Sequence, residues 1–197
     1  MRGLVIGLVV VAIVVVGLVG WAVSVNNDLV RLEQSVNATW AQVQNVYQRR
    51  ADLIPNLVET VKGFAAQERT VLTEVTQARA SASAIQLTPE ALNDPKALQN
   101  FQAVQNQLSG ALSRLLVTVE RYPELKSDKN FLNLQTQLEG TENRITVERQ
   151  RYNEAVRDYN TRLRLFPTNL VAGMLGFRPK AFFEATPESA TPPKVKF

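Results

Sequence analysis

Hydrophobic positions follow two different patterns along this chain. From Gly3 to Val25 no residue carries a charge, and Val, Ile, Leu, Ala and Gly dominate. Leu4 to Val25 would span roughly 33 Å at about 1.5 Å per helical residue, enough for a bilayer core of about 30 Å. Beyond residue 26 the apolar positions recur at steps of three and four. Leu29, Leu32, Val36, Trp40, Val43, Val46, Tyr47, Leu53 and Ile54 share one helical stripe. Leu57, Val61, Phe64, Val71, Leu72, Val75 and Ala78 form a second, and Leu98, Phe101, Gln105, Leu108, Leu112, Leu115 and Val119 a third. Phe131, Leu138, Ile145, Tyr152, Tyr159 and Phe166 recur every seven residues, the repeat of coiled-coil-like packing. No stretch alternates with period two. The expected fold is all-α: an N-terminal transmembrane helix, then an antiparallel bundle of long helices in three to four segments.

Breaks divide these stripes. Thr88 and Asp94 each precede a proline and read as helix N-caps. Tyr122-Pro123-Glu124 ends the third helix, Ser127 or Asp128 caps the fourth, and Pro167 stops it. Pro55 allows two readings. Arg49 and Arg50 suit a helix C-terminus and Asp52 a new N-terminus, which favours a tight turn and four segments. The other reading is one kinked helix of about 58 residues that continues the membrane helix as a stalk. The expected division is a short tail 1–3, an anchor 4–25, a bundle 26–166, an apolar segment 167–185 packing on the bundle or a partner, and a flexible tail 186–197.

The first segment has a competing reading as a cleaved signal peptide, with Ala22-Val23-Ser24 as the cleavage site. Its apolar core exceeds the 7–15 residues usual for a signal sequence, which favours a retained anchor. Arg2 and Arg31 balance the charge count across it. The very short N-terminal tail resembles a signal anchor and would place residues 26–197 outside the cytoplasm. Gly3 and Gly7 form a G-x-x-x-G pair, a spacing also expected from the abundance of Gly in membrane helices.

Composition narrows the chemistry. The 197 residues include no Cys and no His, and 22 Lys and Arg against 18 Asp and Glu give a net charge of +4. Thiol nucleophiles, disulfides, Cys/His zinc sites and Ser-His-Asp triads cannot be built. Glu139 with Glu142, and Glu154 with Asp158, each share a helix face, but di-metal bundles pair such acids with His. The expectation is no enzyme, no cofactor and no metal. Arg144, Arg149, Arg151, Arg157, Arg162 and Arg164 make residues 144–164 basic. That stretch reads as an ion-paired solvated face, or as an anionic-lipid or nucleic-acid surface. Asn37-Ala38-Thr39 is a glycosylation sequon inside a helical pattern. The aromatic stretch 166–185 either caps the bundle or offers an exposed patch, with Phe177, Arg178, Phe182 and Phe183 as its candidate contact residues.

Arg49-Arg50-x-Asp52-Leu53-Ile54-Pro55-Asn56-Leu57-Val58-Glu59-Thr60-Val61-Lys62-Gly63 resembles the signature block of the bacterial LemA family. So do Leu138-Glu139-Gly140-Thr141-Glu142-Asn143-Arg144-Ile145, Tyr152-Asn153-x-x-Val156-Arg157-x-Tyr159-Asn160, Phe166-Pro167-x-Asn169, Gly176-Phe177 and Phe182-Phe183-Glu184-Ala185. The resemblance runs from about residue 26 to 185. It implies a single-pass membrane protein with an antiparallel helical domain and no established activity, cofactor or catalytic residue. Relatives include a component of magnetosome-forming systems, which points to membrane organisation. Arg49, Arg50 and Asp52 cluster beside Pro55 and are candidates for ion pairs that pin the fourth helix in register.

These readings converge on a membrane-anchored, non-enzymatic, self-associating helical scaffold in the bacterial cytoplasmic membrane, with its helical domain facing outside the cytoplasm. The expected partners are the membrane, further copies of the chain and an unidentified membrane or envelope protein, without nucleic acid. The alternatives are an adaptor for a membrane protein such as a protease, or an anionic-lipid binder acting through residues 144–164.

Overall fold

A computed structural model describes residues 2–184. The tail 186–197 lies outside the described residues. Helix α1 runs Arg2–Phe64, α2 Arg69–Ala84, α3 Pro95–Val119, α4 Pro123–Lys126, α5 Lys129–Arg164 and α6 Thr168–Met174. A single 3-10 turn, Ala91–Asn93, precedes α3. No strand occurs among the described residues.

Of the two readings at Pro55, the structure has the continuous helix and not the turn. Helix α1 continues unbroken for 63 residues, a length of about 95 Å. Proline lacks the N–H that would bond the carbonyl four residues earlier, at Ala51. Arg79 of α2 supplies the missing donor, its Nε lying 2.7 Å from the Ala51 carbonyl oxygen. The chain reverses later, through residues 65–68. Glu68 ties this turn to the far end of α3, accepting from the Tyr122 hydroxyl at 2.6 Å and pairing with Arg121 at 3.2 Å.

The remaining caps follow local chemistry. Asp94 accepts from the Lys96 amide at 2.9 Å, with Pro95 in the first turn of α3. Asp128, rather than Ser127, caps α5 by accepting from the Phe131 amide at 2.9 Å. No α-helix starts after Thr88, whose hydroxyl accepts from the Ala91 amide at 3.4 Å at the entry to the 3-10 turn. α5 stops at Arg164, before Pro167.

Helices α1, α2, α3 and α5 alternate in direction, and the closest packing is α1 on α5 and α2 on α3. One core cluster holds Val25, Leu29, Val36, Trp40, Phe101, Tyr152 and Tyr159, and another holds Ile54, Leu57, Val61, Leu108, Leu115 and Phe131. Each such burial contributes about 1.5–3 kcal/mol. The seven-residue repeat of α5 is buried from Phe131 to Tyr159. Its sixth member is not, because the helix ends first and leaves Phe166 78% exposed. Phe64 is likewise exposed at the end of its stripe.

Helix α1 passes straight through residues 25 and 26. Its most apolar 18-residue window has mean hydropathy 3.0 and is wholly exposed. This is one helix long and apolar enough to cross a membrane. Contact with the bundle begins at half-buried Ala22 and buried Val25.

Candidate functional site

Helices α3 and α5 form an open seam over α1, and two features occupy it. At the end remote from the apolar helix lies a cleft of about 320 Å³, lined by Leu57, Leu112, Leu116 and Leu138 with Ser109, Ser113, Gln135, Glu139, Glu142 and Arg50. Arg50 is 2% exposed. Its Nη1 donates to Ser109 Oγ and to Glu142 Oε2, both at 2.9 Å. Its Nη2 donates to the Gln105 side-chain oxygen at 2.6 Å and to the Gln105 carbonyl at 3.3 Å. Gln105 Nε2 in turn donates to the Ala82 carbonyl at 3.3 Å. One guanidinium therefore joins α1, α3 and α5 directly and reaches α2 through Gln105. Its Nε is buried without a hydrogen-bond partner among the described residues.

The three residues of the candidate ion-pair cluster have different surroundings. Arg50 pairs with Glu142 of α5. Arg49 is exposed, and among the described residues the exposed Asp52 accepts only from Gln48, one turn earlier on its own helix, at 2.7 Å. Helical geometry explains the split, because residues 49 and 52, three apart, share the exposed face of α1 while residue 50 turns toward the bundle.

The other half of the seam is filled by the extended segment 177–184. Two Tyr-Asn doublets on α5 hold it. Tyr159 donates to the Arg178 carbonyl at 3.0 Å, and Asn160 exchanges two bonds with the Lys180 backbone, at 2.8 and 2.9 Å. One heptad earlier, Tyr152 donates to the Ala181 carbonyl at 3.1 Å, and Asn153 exchanges two bonds with the Phe183 backbone, at 3.0 and 2.9 Å. Seven helical residues rise about 10.5 Å, and three extended residues about 10 Å, so the two repeats match. Gln102 of α3 closes the other side on the Glu184 backbone.

This strap corrects the expected contact surface. Phe183 is buried, stacked 6.0 Å from Trp40 and edge-on to Tyr152 at 5.4 Å, with the Arg149 guanidinium 4.6 Å above its ring. Phe177 is half-buried against the same core. Both rings complete the core, because the seam would otherwise expose Trp40 and Tyr152. Only Arg178 and Phe182 of the four are exposed. Lys180 is buried and pairs with Glu33 at 2.9 Å. The doublets were visible in the sequence as a seven-residue Tyr-Asn repeat. Gln102, Lys180 and Arg79 carried no such signal.

The end of α5 is tied to α1 just beyond the apolar stretch. Arg162 Nε lies 2.7 Å from Asp28 Oδ2, and Arg31 lies 2.8 Å from Asp28 Oδ1. Burial pushes the Asp28 carboxyl up, but hydrogen bonds from Arg162 and Arg31 outweigh it and hold the pKa below its usual value. Burial raises the Tyr152 hydroxyl far above its usual range. Burial, with the Glu33 carboxylate nearby, pushes Tyr159 up to about 12.

The basic stretch 144–164 is extensively engaged. Arg149 donates to the Glu184 carbonyl, Arg151 pairs with Glu148, Arg157 with Asp158 and Arg162 with Asp28. Arg144 and Arg164 have no ion-pair partner among the described residues. The acidic pairs do not converge: Glu142 faces Arg50, Glu139 accepts from Gln135, and Glu154 accepts from Gln150. Asn37 sits within α1, and its side-chain oxygen is buried without a partner among the described residues.

An all-helical bundle whose first helix extends far beyond it as an exposed apolar rod defines the class of this protein. Residues 39–197 match the LemA family, to which the chain belongs. No curated protein matches it.

Proposed function

We propose that this protein is a membrane-anchored, non-enzymatic helical scaffold that self-associates and serves membrane or envelope organisation in a bacterial cytoplasmic membrane. The observation that carries this reading is the continuity of α1. One helix supplies the exposed apolar rod and, from Val25 to Val61, the spine of the core. A cleavable leader has no need of rigid fusion to the domain behind it, whereas an anchor that orients a scaffold does. The polar groups lining the seam are engaged in holding helices together, which suits a structural role better than catalysis. Light scattering on the detergent-solubilised full chain at micromolar concentration should give an oligomer. A clean monomer there would count against self-association.

A second reading, an adaptor for a membrane protein such as a protease, is favoured by the unfilled half of the seam. Its leucine floor and carboxylate rim suit the apolar face of a partner helix with basic flanks. In-cell crosslinking separates the two readings. Self-crosslinks favour the scaffold, and one dominant foreign band favours the adaptor.

A further inference from the structure

Exposed apolar side chains on the bundle are scattered, except at one place. Leu165, Phe166, Leu170, Met174 and Leu175 are all at least half exposed, with Met174 at 87%. Leu170 and Met174 share a face of α6, while Thr168 and Ala172 on its other face are buried. The patch is therefore held on a packed element. Ala172 and Leu163 belong to the core cluster that contains Val25, where α1 leaves the bundle. The Asp28–Arg162 pair fixes the end of α5 at that same level. Helix α6 also packs on α1, so the patch lies at the end of the bundle where the exposed apolar length of α1 begins. Exposed Arg164 and Arg178 flank it in sequence.

We propose that the segment 165–175 is a second membrane contact, an interfacial wedge seated among anionic phospholipid headgroups of the bilayer that α1 crosses. This rests on the membrane reading of α1. An apolar face flanked by arginines inserts at the boundary of headgroups and acyl chains, and each arginine gains from an anionic surface. Continuity with the apolar helix selects lipid as the occupant. A bilayer covering α1 up to Val25 would bring its headgroups to this turn, and the same patch at the far end of the bundle would lie tens of ångströms from lipid.

The test uses the full chain in vesicles of phosphatidylcholine and phosphatidylglycerol. Because the chain has no cysteine, single substitutions Met174→Cys, Val14→Cys and Ser127→Cys can each carry an environment-sensitive fluorophore. Met174→Cys should show a blue-shifted emission, lose quenching by aqueous iodide, and be quenched more by a lipid spin label near the headgroup than by one deep in the acyl chain. Val14→Cys should respond most to the deep label, and Ser127→Cys should stay aqueous. A water-exposed Met174→Cys beside a deeply quenched Val14→Cys overturns the wedge and leaves the anchor. A Val14→Cys that no lipid label quenches overturns the anchor reading and the wedge with it. A blue-shifted Met174→Cys that neither lipid label quenches means another protein surface covers the patch, and also overturns the wedge.

Discussion

Arg79 donates its Nε to the carbonyl oxygen of Ala51 at 2.7 Å, the one acceptor that Pro55 leaves without its helical partner. A side chain from α2 thereby repairs the backbone of α1 and lets it pass a residue that ordinarily ends or kinks a helix. Arg79→Ala should cost about 1–3 kcal/mol, the loss expected when a buried acceptor is left unmade. Pro55→Ala restores the missing N–H and should stabilise by up to about 3 kcal/mol. In the Pro55→Ala background, Arg79→Ala should cost clearly less. Urea unfolding of the four proteins, followed by circular dichroism, checks this. Strict additivity would show that the two residues do not act on the same carbonyl.

Arg50 should be the costliest charged residue to lose. Arg50→Ala strips the buried Gln105 side-chain oxygen of its donor and opens the cleft further, so a loss of about 3 kcal/mol is expected. Glu142 is 52% exposed in its side chain, and Glu142→Gln should cost only about 1 kcal/mol. Asp52→Ala, touching only Gln48, should stay within about 0.5 kcal/mol of the parent. Thermal melts of the three variants give the ranking directly.

The strap should release when its asparagine holders are removed. Asn160→Ala breaks both bonds to the Lys180 backbone and should cost about 1–3 kcal/mol. Amide hydrogen exchange should rise selectively at residues 178–184, while the middle of α1 stays protected. Unchanged exchange along the strap would mean that Phe183 alone holds it.

Alkaline pH should loosen the same region. Tyr159 sits at about 12 in the fold, against about 10 in an unfolded chain. A hydroxyl held above its unfolded value gives stability that is complete below about pH 10 and is lost as pH rises through about 12. Tyr159→Phe forfeits the bond to the Arg178 carbonyl and should be about 1 kcal/mol weaker at neutral pH. Its deficit should shrink above about pH 10, as the parent loses what the variant never had. Urea midpoints at neutral and alkaline pH measure this.

Ser127 is exposed at the end of the bundle remote from the apolar helix. With the domain outside the cytoplasm, Ser127→Cys should react with a membrane-impermeant maleimide in intact cells. Labelling only after lysis would reverse the orientation.

Much of this fold was legible in periodicity. The four stripes, the Asp94 cap and the stop before Pro167 needed only local rules. The Pro55 passage did not, because its remedy comes from Arg79, 28 residues from the Ala51 carbonyl it serves. The sequence groups Arg50 with Arg49 and Asp52 as one candidate ion-pair cluster, and only the approach of α3 and α5 shows that Arg50 alone of the three is enclosed. The choice between a bundle cap and an exposed patch for residues 166–185 was not legible for a related reason. An extended segment has no helical period, so the burial of Phe183 and the exposure of Phe182 depend on the doublets of α5. Phe166 kept the heptad spacing after the helix carrying it had ended.

The Asp28–Arg162 pair joins residues 134 positions apart. Ribosomes add about 5–20 residues per second, so this distance corresponds to roughly ten seconds of synthesis. Throughout that interval α1 exists without α5, its principal partner. Trp40 waits longer still, since Phe183, the ring that stacks on it, is among the last described residues to be made. An apolar first helix can therefore be committed to lipid well before the domain behind it closes. On the membrane-anchored reading, assembly runs outward from α1 and finishes by bringing Arg162 and Phe183 back onto it.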